Sequence, residues 1–262
     1  MDSPTFWSCY WGLHVAAIAG LAIVSTASSA GLFPPMATKL VEELSRYGKT
    51  LSAHSLFLSV PKRQFVHFYI VGTIVNTIAL FLKNNALLWL YQIQVSRRLG
   101  ESLFVTRFSP SAQMHALHYF IGISYYIAVP LTLYSIADET ESLETWRSCF
   151  GVTIFLAANW VQFVCHKNLA DLRPLKAPAE TGVSYSIPRG FWFGFVSCPH
   201  YTAEVVIYTA LAATARCARP LIFLTVFVVI ELSLSATTQH HWYKRKFRDY
   251  PIHRHAIFPL FL

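Results

Sequence analysis

Residues 219–238, RPLIFLTVFVVIELSLSATT, followed by 239–251, QHHWYKRKFRDYP, decide the fold class. A helix that crosses a bilayer needs about 20 mostly apolar residues. The first stretch supplies them, with a single acid, Glu231, near its middle. The second turns basic and aromatic at once, as a chain does where it leaves the lipid. Six further apolar runs lie upstream, at about 6–28, 65–82, 86–106, 114–137, 146–167 and 200–217. Seven candidate spans result.

Composition points the same way. Of the 262 residues, 54% are apolar, 15% aromatic and only 13% charged, with a mean hydropathy of +0.42. A soluble domain carries about 25% charged residues, so there is too little charge here to coat a water-facing surface. A disordered chain, a secreted disulfide scaffold and a soluble dinucleotide-binding enzyme are excluded. The expected fold is all-α: a polytopic membrane protein of seven transmembrane helices in one integral-membrane domain. The first span has only Asp2 and no basic segment before it, so it reads as a retained anchor rather than a signal peptide. Pro130, Gly122 and Gly151 interrupt spans, which membrane helices tolerate. No internal repeat supports an inverted-repeat transporter. Cys9, Cys149, Cys165, Cys198 and Cys217 are odd in number and lack C-x-x-C spacing, which argues against disulfides or a zinc site.

The net charge of +8 is not scattered. Seventeen Lys and Arg fall in 28–64, 97–113, 167–199 and the tail after 238. The opposite connections hold four, Lys83, Arg147, Arg216 and Arg219, beside the acidic run Asp138, Glu139, Glu141 and Glu144. This asymmetry places the N-terminus lumenal or outside and the C-terminus in the cytoplasm. It accounts for the basic balance without nucleic acid.

Polar groups inside spans are costly and therefore point to sites. Gln162, His166 and Arg173 fall within about 40° of one another on a helix, one stripe reaching the cytoplasmic end. It suits an interhelical seam with a snorkelling Arg, or a phosphate-bearing cofactor. In 197–204, SCPHYTAE, Ser197 is placed to cap a helix with Pro199 in its first turn, and His200 and Glu204 become i, i+4 neighbours. A buried Glu204 needs an amide or a cation, and so does Glu231. Arg97 or Arg98 pairs with Glu101 at helical spacing. His115, His118, Tyr125 and Tyr126 follow, and His115-x-x-His118 with His240-His241 is too sparse for a histidine-box di-iron enzyme. No G-x-G-x-x-G, P-loop or G-x-S-x-G occurs.

The ending from His240 to Leu262, HHWYKRKFRDYPIHRHAIFPLFL, resembles the signature tail of the steroid 5α-reductase family. Five further stretches resemble its polyprenol (polyprenal) reductase branch: RYGKT at 46–50, VPKRQFVHFYI at 60–70, RRLGE at 97–101, YSIPRG at 185–190 and PHYTAE at 199–204. Gln162…His166…Arg173 also fits that branch, where steroid-reducing relatives tend to carry Asn and Asp at the first two positions. The resemblance implies an endoplasmic-reticulum enzyme that binds NADPH between its C-terminal helices and admits a lipid from the membrane. It implies an anchor and cytoplasmic loop over 1–64, substrate-side helices over 65–145 and NADPH-binding helices over 146–262. Carried over by position, Gln162, His166, Arg173, His200, Glu204, His240 and Tyr243 line the cofactor, and Asp249 and Tyr250 brace its mouth. Tyr125 and Tyr126 match a Tyr-Tyr pair facing substrate. Where relatives read Arg-Ile-Pro this chain has Ser186-Ile187-Pro188, and Arg189 is the nearby substitute for the lost phosphate contact. Gly100 and Gly194 also depart from the family pattern.

Hydride does not add to an isolated alkene, but it adds to the β-carbon of an enal because the oxygen takes the charge. That chemistry favours the aldehyde polyprenal over the alcohol as the species reduced. Tyr125 is then the expected donor to the carbonyl oxygen, Tyr126 the second, and His240 a proton source. Glu204 orients the nicotinamide. The implied partners are a long polyprenyl lipid and the bilayer, with no obligate protein partner, no nucleic acid and no metal. The rival readings are a sterol enone or trans-enoyl-CoA reductase, and a seven-helix receptor or transporter.

Overall fold

A computed structural model describes residues 3–29, 58–109, 112–139, 146–173 and 185–259. The stretch RYGKT, the residues Glu141 and Glu144, and the last three residues of the tail lie outside the described residues. Within them the chain is mostly helical. Seven α-helices occur: α1 (Pro4–Ser29), α2 (Phe65–Leu82), α3 (Ala86–Gly100), α4 (Ala116–Ile136), α5 (Trp146–Asp171), α6 (Pro199–Thr214) and α7 (Arg219–Lys246). Five of them, α1, α2, α4, α5 and α7, are long and apolar enough to cross a membrane by length and composition. The chain is therefore a multi-pass membrane protein. The other two are too short: α3 has 15 residues, with Arg97 and Arg98 in its last turn, and α6 has only 16 residues.

Local chemistry sets the helix ends. Asn85 caps α3 by accepting from the Leu87 amide at 2.8 Å. Pro199 opens α6 in the first turn, where its missing N–H costs nothing. The cap itself is Cys198, without a side-chain bond to the helix. The expectation that Ser197 caps this helix is thus corrected: its hydroxyl is occupied by the tail and α7 instead. Beyond α6, Arg216 and Cys217 have φ of +51° and +59° and turn the chain into α7. After α3 the backbone continues as a five-residue π-helical turn, Glu101–Val105, a widening often found at functional sites.

The bundle packs α5 along α6, α1 along α7, and α2 against both α3 and α4. Two short antiparallel strands, β1 (Ser59–Pro61) and β2 (Gln113–His115), cover one end, with Val60 opposite Met114. At the other end Lys83 bonds Asp138 at 2.6 Å and stacks over Tyr134, while Asn85 reaches the Ala137 carbonyl at 2.9 Å. The end closed by the strands is the one that carries the basic connections.

Close contact between α2 and α4 depends on the missing side chain at Gly122. A Cβ at Gly122 of α4 would lie 2.6–2.9 Å from three atoms of the Phe68 ring, whereas one at Gly12 of α1 would meet nothing within 4 Å. Gly122→Val should therefore cost about 1–3 kcal/mol through overpacking, while Gly12→Ala should be neutral or gain up to about 1 kcal/mol from helix propensity. Thermal unfolding of both variants in detergent checks this contrast.

Candidate functional site

Two largely buried guanidinium groups on α3 organise the middle of the bundle. Arg97 donates through Nε to Asn159 at 2.9 Å and through Nη2 to Gln94 at 2.7 Å, and it also contacts Glu101 and Gln162. Arg98 pairs with Glu101 and donates to the Tyr69 hydroxyl at 2.6 Å. Sequence spacing allowed either arginine to pair with Glu101. Both do.

The two glutamines act as relays, because an amide accepts on one side and donates on the other. Gln94 takes Arg97 on its oxygen and gives its NH2 to Glu204 at 3.2 and 3.3 Å. Gln162 takes Arg97 in the same way, and gives its NH2 to Glu204 and to the His200 carbonyl, the latter at 3.2 Å. Arg97, Arg98, Glu101 and Glu204 thus form one connected set with no formal net charge. His166 closes it, with Nδ1 2.6 Å from the Glu101 carboxylate and 2.8 Å from Arg98. One nitrogen cannot both donate and accept there. The Nδ1–H tautomer, which donates to Glu101, satisfies the acceptor.

Above this set, toward the basic end, lies a cavity of 230 Å³. Its wall includes Lys62, Arg107, His166, Arg173, His200 and Tyr243, and no Asp or Glu among the described residues. Arg107 and Arg173 hold each other in place, each guanidinium donating to the other's backbone carbonyl, with Arg107 at 2.6 Å. Lys62 is brought in by the strand pair, its amide bonding the Ala112 carbonyl at 2.8 Å. Ser235 also lines the cavity and donates to Glu231 at 3.1 Å, which names the partner that Glu231 required.

Four of the residues expected to hold a cofactor, His166, Arg173, His200 and Tyr243, line this cavity, and Gln162 and Glu204 sit beneath it. His240 and Tyr250 stand one side chain behind the wall: both meet the Ser197 hydroxyl, at 2.7 and 2.6 Å, and Ser197 lines the cavity. Arg189 does not. It lies at the surface, its side chain 68% exposed and 3.7 Å from the equally exposed Asp249, whereas Ser186 is in the wall. Tyr125 and Tyr126 lie deeper, among Trp11, Tyr208, Phe227 and Phe68. The Tyr125 and Tyr208 rings meet edge-on with centroids 6.5 Å apart.

Sequence reasoning missed Gln94, Asn159, Lys62 and Arg107, and with them Arg254. The signal for Gln94 and Asn159 was present, as uncharged polar residues inside apolar spans. Arg254 is 6% exposed, lies over the Tyr250 ring at 5.3 Å, and leaves Nε and Nη1 without a partner among the described residues.

The family pattern described as 3-oxo-5-alpha-steroid 4-dehydrogenase matches residues 108–262. This chain belongs to the steroid 5α-reductase family. Its relatives include polyprenal reductase 1 of Oryza sativa subsp. indica, 32% identical over 84% of this chain and 88% of that protein. Polyprenal reductase of Xenopus laevis is 31% identical over 84% of each chain. Polyprenal reductase 1 of Arabidopsis thaliana is 33% identical over 84% of this chain and 87% of its own length. In this member of the steroid 5α-reductase family, the matched segment contains α4 to α7 and the tail; the α3 arginines precede it.

Glu101 is 2% exposed and holds both arginines. Glu101→Gln strands two buried cations and should lower stability by about 3–5 kcal/mol. Asp171→Asn, which removes an exposed pair with Lys167, should leave the melting temperature unchanged. Detergent melts of the two variants side by side give the comparison.

Proposed function

We propose that this protein is a seven-span reductase of the endoplasmic reticulum that saturates the α-isoprene double bond of a polyprenal with NADPH. Its product, dolichal, would feed dolichol and dolichyl-phosphate synthesis for protein N-glycosylation. The substrate class rests on relatives named polyprenal reductase across plants and a vertebrate. The N-terminus is lumenal and the C-terminus cytoplasmic, which puts the cavity on the cytosolic side where nucleotides are available. The domain division is that of a lumenal-to-cytoplasmic anchor with its loop over 1–64, substrate-side helices over 65–145 and cofactor-binding helices over 146–262.

The observation that carries the cofactor reading is the cavity wall: three cations, Lys62, Arg107 and Arg173, and no carboxylate among the described residues. A wall of that charge fits a polyanion such as a dinucleotide phosphate. Lys62, Arg107 and Arg173 hold the phosphates, in place of the contact that Ser186 and the surface-lying Arg189 leave unmade. Arg254, buried with unpartnered nitrogens, adds a further donor from the tail. Glu204 and Gln162, fixed by Arg97, orient the carboxamide of the nicotinamide ring, and His200, Tyr243 and His166 shape the wall beside it. The bound dihydronicotinamide supplies a hydride, which is chemistry no side chain provides.

The chain's own contribution is position and electrostatics. As C3 of the substrate accepts hydride, negative charge develops on the aldehyde oxygen. Tyr125, supported by Tyr208, donates a hydrogen bond to that oxygen, and Tyr126 is the second donor. C2 is then protonated, and His240, held by Ser197, is the group placed to relay a proton from the cytoplasmic side. The aromatic shell around Tyr125 excludes water, which strengthens this bond.

The deciding assay offers purified protein polyprenal and polyprenol separately with NADPH and weighs the products. A gain of two hydrogens on polyprenal alone supports the reading. Reduction of neither, with NADPH bound, moves the substrate to sterol enones or enoyl-CoA, and absence of NADPH binding restores the receptor or transporter reading. Tyr125→Phe should lower kcat by about 10²–10³-fold, the effect of losing a donor to a developing oxyanion, with NADPH affinity unchanged. Glu204→Ala and Arg173→Met should instead weaken NADPH binding. Steady-state rates paired with a direct binding titration separate the two classes.

A further inference from the structure

Between α5 and α6 the chain makes a turn that the proposed chemistry does not use. Phe191–Gly194 is a single turn of 3-10 helix within the run GFWFGF at 190–195. Gly190 has φ +77° and Phe191 φ +49°. A left-handed conformation suits glycine but is an outlier for a bulky side chain, and it persists only where the surroundings impose it. The result is a split of the aromatic run. Phe193 is fully buried, while Phe191, Trp192 and Phe195 are 47%, 42% and 63% exposed.

The tail extends this surface. The His255 amide bonds the Phe195 carbonyl at 3.1 Å, the Ser197 amide bonds the His255 carbonyl at 2.8 Å, and Val196 bridges to His255. Ile252 in the same tail is 94% exposed. Four large apolar side chains therefore stand out at one end of the bundle, from a single 3-10 turn, the residue after it and the non-helical tail. In the segment leading to Ile252, Lys244, Arg245, Lys246 and Arg248 are exposed, and Asp249 is paired with Arg189, which precedes the turn.

The depth of the turn follows from its neighbours. Asn168 on α5 donates to the Arg189 carbonyl at 3.2 Å. The residue before it, Lys167, forms an exposed pair with Asp171. Exposed charges of this kind are costly in hydrocarbon, so this part of α5 marks the headgroup level. On the other flank Tyr185 packs edge-on against Trp242 at 5.0 Å, just before the basic end of α7. Both contacts set the turn at the lipid–water boundary, the depth at which aromatic side chains are favoured.

We infer that the 190–195 turn, together with Ile252, is a monotopic anchor that enters the headgroup–acyl boundary of the leaflet on the basic side, with the surrounding Lys and Arg meeting acidic phospholipid headgroups. The bilayer thereby grips the strand leading to Ser197, the residue on which His240 and Tyr250 converge. The inference depends on the fold and stands apart from the choice of substrate.

The test uses the full chain in nanodiscs. The protein has seven Trp, so the difference between wild type and Trp192→Phe isolates one signal. That difference should be quenched by lipids brominated close to the glycerol backbone and spared by aqueous iodide. Quenching by iodide with no effect of brominated lipid overturns the anchor. Should Trp192→Phe fold poorly, Phe195→Trp supplies an added signal with the same expected behaviour. Replacing roughly a third of the phosphatidylcholine by phosphatidylserine should deepen the brominated-lipid quenching, and high salt should reverse it. Indifference to acidic lipid would remove the headgroup contact from the inference.

Discussion

Burying two guanidinium groups side by side in a membrane bundle is tolerable only if their charge is cancelled within hydrogen-bond reach. Arg97 and Arg98 meet this condition through Glu101, in the π-helical turn that continues α3, and Glu204 on α6. The cancellation needs linkers, because Glu204 does not touch either arginine directly in the described contacts. Gln94 and Gln162 fill that role, each with its oxygen on Arg97 and its nitrogen on Glu204. A carboxylate at either glutamine would add a charge without donating to Glu204, and a hydrocarbon would break the chain. The set therefore fixes how α3, α5 and α6 lie against one another.

This set also explains why the cavity above it has the charge it has. The carboxylates are consumed below, by the arginines, and none is left for the wall. The cations of the wall come from elsewhere: Lys62 from the turn after β1, Arg107 from beyond the π-helical turn, and Arg173 from the frayed end of α5. Like charges gathered in one wall repel one another. Arg107 and Arg173 soften the repulsion by donating to each other's backbone carbonyls, which also aims both groups without requiring an acid.

Much of this was legible in the sequence because the signals are local. Apolar runs located the helices, with α5 and α7 continuing a few residues past the expected ends as polar helix outside the lipid. The pairing of Arg97 and Arg98 with Glu101 follows from helical spacing alone. The pairing of Gln162 with Glu204 does not, since 42 residues separate them and only the packing of α5 on α6 brings them together. Ser197 was misread for a related reason. Its type and position fit a cap, but a serine next to a histidine and a tyrosine from another element finds stronger partners. Lys62 and Arg107 were missed as site residues because they sit in short connections, where basic residues usually mean only orientation in the membrane.

His166 shows how composition at one position follows from the charge of its surroundings. Beside Glu101 an acid would bring a third carboxylate to two guanidiniums that Glu101 and Glu204 already balance. A neutral imidazole donates one bond to Glu101, adds no charge, and still presents a flat ring to the cavity, 5.5 Å from the ring of His200. The two rings stand in the wall of the cavity beside Lys62, Arg107 and Arg173. That arrangement keeps a further carboxylate away from the two guanidiniums and leaves the charge of the wall to Lys62, Arg107 and Arg173.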